Sequence, residues 1–483
     1  MSPHTVSESI FREMWLARFF EWTPLYTNDN ARVKVLGSGR LNNDAGPDIL
    51  DARIRIGETI FHGDVEFHVE ASSWYAHGHH LDEHYNRTIL HLVFFIRPSD
   101  RPAFTLSGRQ VPLVLTNPSS ALTDRSCDPH LPCYDFNRSV TQATVTAWLA
   151  QLAWIRMERR VLQFGERLKR IAIEEQRVEY ESEATERTRG SDTPDGEVLW
   201  EQLLYEGLME AAGYEKNRKP FLDLARSVRI PMLRRIGFSD SEGVMALLFG
   251  AAGLLPPSRT VADPESRAYL HRLLRRWRIL RRSYRGPLLH AGDWLFFRLR
   301  PANFPTARLA AICFLLPQLF GNRGFRGMVS LLARGNYPAR ETLRKFDRVL
   351  TARPDSYWRT HFRFGPPTVA PVYMPGRARR LDMIANVLLP VMILYGRTFR
   401  LPLVEARAFD LFSLMPSLQN NRITRIMETE LPGNLQLRSA SLQQGAIQLS
   451  QEYCSRGRCG QCAIGRSVGL WGLSSDRDTP GLR

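Results

Sequence analysis

Three short segments near the start of the chain hold most of its chemistry: Asn42–Asp48 (NNDAGPD), Gly63–His68 (GDVEFH) and Trp74–Asp82 (WYAHGHHLD). They carry Asp44, Asp48, Asp64, Glu66 and Asp82 beside His68, His77, His79 and His80. Carboxylates and imidazoles at that density are costly to fold around unless a cation or a proton-transfer step uses them. Two carboxylates on adjacent strands can share one hard cation, which takes oxygen ligands and keeps waters for reaction. Such an ion lowers the pKa of a bound water and neutralises charge building up on a phosphate. Asp48 and Glu66 are the expected pair, with Mg²⁺ or Mn²⁺ as the ion and His68 orienting or deprotonating water. Asp64, His77 and His79 are further candidate ligands, with Asp82 beside them. A zinc hydrolase site made from the histidines and aspartates is the rival chemistry, without a recognised spacing such as H-E-x-x-H. Asp44 and Gly46-Pro47 also suit a turn. His62, His80 and His84 read as surface residues, and His91 as a satisfied core histidine.

The elements that must position these groups follow from periodicity. Val6 to Phe20 has helical apolar spacing, and Val33 to Leu36 is a short strand. Ile49 to Ile56 alternates as a half-buried strand, Gly57-Glu58 turns, and Thr59 to Val69 is its hairpin partner. A two-residue turn pairs Ile56 with Thr59, which sets Asp48 opposite Phe67, on the wrong side for Glu66 and His68. One bulge restores them to a common face, and Gly63 is the expected place for it. Trp74 to Arg87 reads as loop then helix. Thr88 to Ile96 is a nearly continuous apolar strand, buried on both faces. Val111 to Leu115 adds one more edge.

Beyond Pro118 the character changes. Val140 to Glu175 is a long helical pattern, Glu179 to Glu197 a polar acidic linker, and helices dominate from Val198 to about Leu401. Cys313 lies in an apolar run and reads as core. Cys454-x4-Cys459-x2-Cys462 supplies three soft ligands, one short of a closed tetrahedral site. Cys133 is the expected fourth ligand and Cys127 the second choice. Zinc and an iron–sulfur cluster are both allowed there, in a structural role; a redox pair or packed reduced thiols are the competing readings. The chain carries a formal charge of +16, mostly as arginine. In the helix-like stretch His271 to Arg285, Arg275, Arg278 and Arg282 suit nucleic-acid phosphates, against the plainer reading of a solvated basic face. No apolar run reaches about 18 residues free of charge, and the first residues lack signal-peptide character, so a cytoplasmic protein without membrane contact is expected.

The order helix, three strands, helix, strand resembles the core of the PD-(D/E)XK nucleases, with Pro47-Asp48 and Glu66-Phe67-His68 at the motif positions. His68 stands where that family has lysine. A distant first cysteine with three near the C-terminus resembles the iron–sulfur staple of some nucleases in that superfamily. Over nearly its whole length the chain resembles the bacterial family known as domain of unknown function 2851. Asn43-x-x-Gly46-Pro47-Asp48, Gly63 to His68, Ser73-Trp74-Tyr75-x-His77-Gly78-His79, Gly213-Tyr214-x-x-Asn217, Arg300-Pro301-x-Asn303-Phe304-Pro305, Asn386 with Pro390, and Cys454 to Gly465 carry this likeness. The expected organisation is a PD-(D/E)XK-like α/β domain over 1–118 with a mixed sheet, and a connecting segment with a long helix over 119–178. A flexible acidic linker over 179–197 leads to a helical domain with a basic face over 198–440. A cysteine-rich segment and disordered tail fill 441–483. The expected function is divalent-metal-dependent phosphodiester hydrolysis. The reading from another class is a non-catalytic nucleic-acid-binding or scaffold protein with a degenerate nuclease core.

Overall fold

The computed structural model describes residues 15, 25–42, 44–116, 131–134, 140–183, 195–297, 299–321, 324–334, 337–368, 375–433 and 435–470. The expected helix over Val6–Phe20 lies outside them apart from Trp15, as do Cys127, the centre of the acidic linker and the tail after Leu470. The chain divides into two units, Met1–Pro129 and His130–Arg483, so the long helix and the cysteine segment share the second unit.

The first unit is built on a mixed sheet of seven strands: β1 (Leu25–Tyr26), β2 (Arg32–Gly37), β3 (Arg40–Leu41), β4 (Ile49–Ile56), β5 (Thr59–Glu70), β6 (Thr88–Phe95) and β7 (Leu113–Leu115). Strands β2, β4 and β5 run antiparallel, while β6 lies parallel to β5 and β7 parallel to β6. Val111 to Leu115 supplies β7, the last strand of the sheet order. Thr27, just after β1, bridges Val114 of β7, and Asn28 N donates to the Leu113 carbonyl at 2.9 Å, so the sheet nearly closes into a barrel. Closure removes exposed backbone donors that would otherwise template pairing.

The turn at Gly57-Glu58 pairs Ile56 with Thr59 as the alternation requires. The bulge exists, but on β4: the register shifts between Ile49 and Ala52, where Asp51 adopts φ +57°. Gly63 instead permits a close approach, because a Cβ there would stand 2.4 Å from the Arg87 carbonyl oxygen. With the register corrected, Val65 and Phe67 of β5 enter the hydrophobic cluster with Ile54, Leu90 and Leu92, each burial worth about 1.5–3 kcal/mol. The alternate residues Asp64, Glu66 and His68 are buried too. They face away from that cluster, as the two-residue period of a strand dictates. The crossover to β6 does not contain the expected helix of any length. It holds a four-residue helix, Ser73–Ala76, and two 3₁₀ turns, His79–Leu81 and Glu83–Arg87. Gly78 at φ +76° and extended Asp82 interrupt any continuous helix.

The second unit is helical. The helix Gln142–Glu183 runs eight residues beyond Glu175 into the expected linker and packs on Ala440–Glu452. The helix Pro264–Leu280 stops short of Arg285. Arg377–Met383, a π-helical turn over Ile384–Leu388, and Leu389–Thr398 form one continuous helical run through the core. That run is long and apolar enough to span a membrane by composition, yet two-thirds of its apolar window is buried within the protein.

Candidate functional site

His68 is the hub of the N-terminal cluster. It lies on β5 and is 1% exposed. Its Nδ1 is 2.8 Å from Nε2 of His91 on β6, and its Nε2 is 3.1 Å from His77 Nδ1 and 3.3 Å from His79 Nε2. The ligand atoms of His68, His77 and His79 all fall within 4.8 Å of one another, with His77 exposed and the other two buried. Gly78 makes this possible: its left-handed backbone turns the chain between two histidines, so both imidazoles reach the same neighbour. Aromatic packing fixes His79, whose ring stacks on Tyr85 at 3.8 Å and on His68 at 5.1 Å, with Trp74 edge-on at 5.5 Å.

Burial first, then the neighbouring His91, His79 and His77, push the His68 pKa down to about 2. Burial does the same to His91, down to about 3. Both rings are therefore neutral, with lone pairs free of competing protons. If His68 Nε2 is the acceptor or ligand, its Nδ1–H donates to His91 Nε2. His91 Nδ1 has no hydrogen-bond partner among the described residues.

Glu66 is buried beside this group. Its Oε1 lies 3.5 Å from His68 Nε2 and 3.3 Å from His79 Nε2, while its Oε2 accepts from Asp48 N at 3.0 Å. The Asp48 carboxylate reaches the other strand, accepting from Phe67 N at 3.2 Å. Each carboxylate thus spends one oxygen on backbone. Asp64 accepts from Asp51 N at the bulge, and Asp82 caps the 3₁₀ turn through His84 N. Asn42, buried, pins the Asp44–Pro47 loop by donating to the carbonyls of Ala45 and Pro47. His62 and His84 are exposed and His80 half-buried. His91 was legible only as core; a histidine inside a strand buried on both faces is the signal that it must serve another group.

In the second unit Cys133, Cys454, Cys459 and Cys462 line one apolar cavity. All are free thiols, Cys462 buried and the others half-buried. Cys454 and Cys459 each begin a 3₁₀ turn and Cys462 precedes the helix Ala463–Ser467, while Gly457 at φ +64° reverses the chain between the first two. Burial, followed by Cys462 and Cys459, raises the Cys133 thiol to about 12. Among the described residues, no three of these sulfurs lie within 4.8 Å of one another. Arg275, Arg278 and Arg282 are exposed on or just after Pro264–Leu280, whereas Arg272 pairs with Glu242 and Arg276 with Asp240.

No curated protein and no solved structure matches this chain. Residues 8–188 and 191–421 match the family described as "Protein of unknown function (DUF2851)", and the chain belongs to it.

Proposed function

We propose that the N-terminal unit is a metal-dependent hydrolase in which His68, His77 and His79 hold one divalent ion of the zinc class, and that its substrate is a phosphodiester. The spacing of the ring nitrogens, 3.1 and 3.3 Å, carries this reading. Ligands at about 2.0–2.1 Å around a tetrahedral ion stand about 3.3–3.4 Å apart. Imidazole suits zinc better than Mg²⁺, and neutral rings bind without first losing a proton. Asp48 then becomes a positioning residue for Glu66 rather than a ligand. Such an ion supplies Lewis acidity and brings the pKa of water near 7. Glu66 Oε1, next to His68 and His79, takes the water proton. His91 holds the His68 ring in the ligating tautomer. The polyanionic substrate is argued from the net +16 and from Arg275, Arg278 and Arg282, which have no carboxylate partner among the described residues.

The test is incubation of the full chain with labelled DNA and RNA after chelation, then with Zn²⁺, Mn²⁺ or Mg²⁺. Cleavage restored by zinc or manganese and lost in His79→Ala supports the reading. A protein that binds no metal overturns it. Cleavage with Mg²⁺ that ignores His79 but needs Asp48 returns the site to the carboxylate pair.

A second metal site is proposed at the four thiols, as an iron–sulfur cluster. A single tetrahedral zinc with bonds of about 2.3 Å would bring sulfurs to about 3.8 Å. Among the described residues no three of the four sulfurs close to within 4.8 Å of one another. A cluster separates its thiolates because each binds a different iron. Anaerobic purification with iron, sulfide and zinc analysis decides it: stoichiometric zinc with no iron overturns the cluster.

A further inference from the structure

The second unit holds a cavity of about 500 Å³ between helices, lined by Arg156, Arg160, Arg167, Arg218 and Arg379. The first three form one stripe of Gln142–Glu183, at helical spacing. Three carboxylates, Glu210, Glu215 and Asp382, line the same space, leaving an excess of two positive charges. Glu210 is shared: Arg167 and Arg218 each donate to it at 2.6 Å. Asp382 faces Arg379 at 3.5 Å. Arg156 donates to the neutral amides of Gln444 and Gln451, so no carboxylate answers it there. Arg160 Nε, Arg167 Nη1 and Arg379 Nε are buried and have no hydrogen-bond partner among the described residues. Buried guanidinium donors left unpaired carry a desolvation cost, and three of the guanidinium side chains that line this cavity carry one.

The backbone around the cavity is shaped for these donors. Pro390 has no N–H to offer the Asn386 carbonyl four residues earlier, and Arg160 Nη1 donates to that oxygen at 3.3 Å. The π-helical turn Ile384–Leu388 carries Asn386 to the cavity wall, and such turns concentrate at functional sites. Tyr214, in the left-handed region at φ +51°, lies with its ring 3.7 Å from the Arg379 guanidinium and 3.5 Å from that of Arg308. That clamp holds Arg379 with its Nε unspent.

We infer that this cavity binds the phosphate or pyrophosphate group of a small molecule. A dianion matches the excess charge, and the three oxygens of a phosphoryl group offer guanidinium forks more acceptor sites than the two of a carboxylate. The volume is that of a small-molecule site. Burial and the neighbouring Arg156 and Arg218 lower the Arg160 pKa to about 10, a penalty that a bound anion relieves. The inference is independent of the imidazole centre.

Pyrophosphate is the probe, titrated calorimetrically into the full chain at constant ionic strength, with chloride as the control. Saturable binding at one site is expected. Arg160→Gln and Arg379→Gln should each weaken it at least about tenfold, with Arg259→Gln, exposed and not lining the cavity, unchanged. Circular dichroism checks the fold of each variant. If either buried variant unfolds, Arg218→Gln at the exposed rim takes its place and should weaken binding as well. No saturable binding, or binding indifferent to these arginines, overturns the site. A single-stranded oligonucleotide that displaces pyrophosphate and binds more tightly through the same arginines also overturns it, since the occupant would then be a nucleic acid.

Discussion

The two clusters of ligand-type side chains differ in spacing and in origin. The imidazoles come from one short run, His68 to His79, with His68 Nε2 3.1 Å from His77 and 3.3 Å from His79 and all three ligand atoms within 4.8 Å of one another. The thiols come from opposite ends of the second unit and share a cavity without any three closing to 4.8 Å among the described residues. Spacing bears on what a site can hold: nitrogens near about 3.3 Å or sulfurs near about 3.8 Å suit one ion, and sulfurs farther apart suit a cluster of several metal atoms. Origin reports what the site does for the chain. A local cluster restrains little, because the unfolded chain already keeps its members close. A cluster joining distant segments restrains a long loop and so adds stability when filled. The first arrangement is thus proposed for catalysis and the second for stability.

The comparison breaks first at Glu66. Glu66→Gln should leave metal content unchanged and lower turnover by about 10²–10⁴-fold, the usual weight of a general base. His79→Ala should lose both metal and turnover. Full activity in Glu66→Gln would remove the carboxylate from the chemistry. At the thiols the opposite pattern is expected. Cys459→Ser should lose iron and lower the melting temperature of the helical unit by roughly 5 °C or more, a loss of about 3–4 kcal/mol at that size. Turnover per folded molecule should hold. A Cys459→Ser protein that keeps its melting temperature but loses activity would exchange the roles.

A smaller effect separates holding from binding. His91 touches no proposed ion but fixes His68 through the 2.8 Å contact. His91→Leu should raise the metal dissociation constant by about 10–100-fold, and a saturating ion should restore turnover. Restoration is the informative readout, since a general loss of packing would not respond to metal.

Much of the N-terminal architecture was legible because alternation is a strong signal. β4 is the strand the pattern gives, residue for residue, and β5 and β6 differ by a single terminal residue. The need for a bulge was legible from register, but not its position. Asp51 hosts it by tolerating a left-handed backbone, which nothing in the period of a strand announces. The crossover was misread because Trp74 to Arg87 has the length of a helix, while Gly78 and Asp82 break it. Barrel closure depends on Thr27 meeting Val114, a long-range pairing with no local trace. At the candidate site, the histidine density pointed to the region where His68, His77 and His79 come together. That Glu66 faces imidazoles and Asp48 faces backbone is set by the register and could not be read before it. The arginine cavity was invisible for a like reason: its stripe looks like an ordinary charged helix face until Asn386 and Tyr214 are folded against it.

The smallest expected effect concerns substrate capture, which separates the two clusters because the substrate is proposed for the imidazole centre alone. Arg275, Arg278 and Arg282 are exposed and lack carboxylate partners among the described residues, unlike Arg272 and Arg276 on the same element. Arg282 lies past the end of the helix at Leu280, so Arg275 and Arg278, three residues apart, are the pair that share a face. Each guanidinium that neutralises a phosphate releases condensed counterions, so affinity for a polyanion falls with salt at a slope set by the number of contacts. Arg275→Gln with Arg278→Gln should make the log–log salt slope shallower by about two, roughly one per arginine, with affinity reduced across all sequences alike. Metal content at both clusters should not move, because neither arginine belongs to either cluster. An unchanged slope with normal affinity would assign this face to solvent and leave the phosphodiester reading resting on the imidazole centre alone.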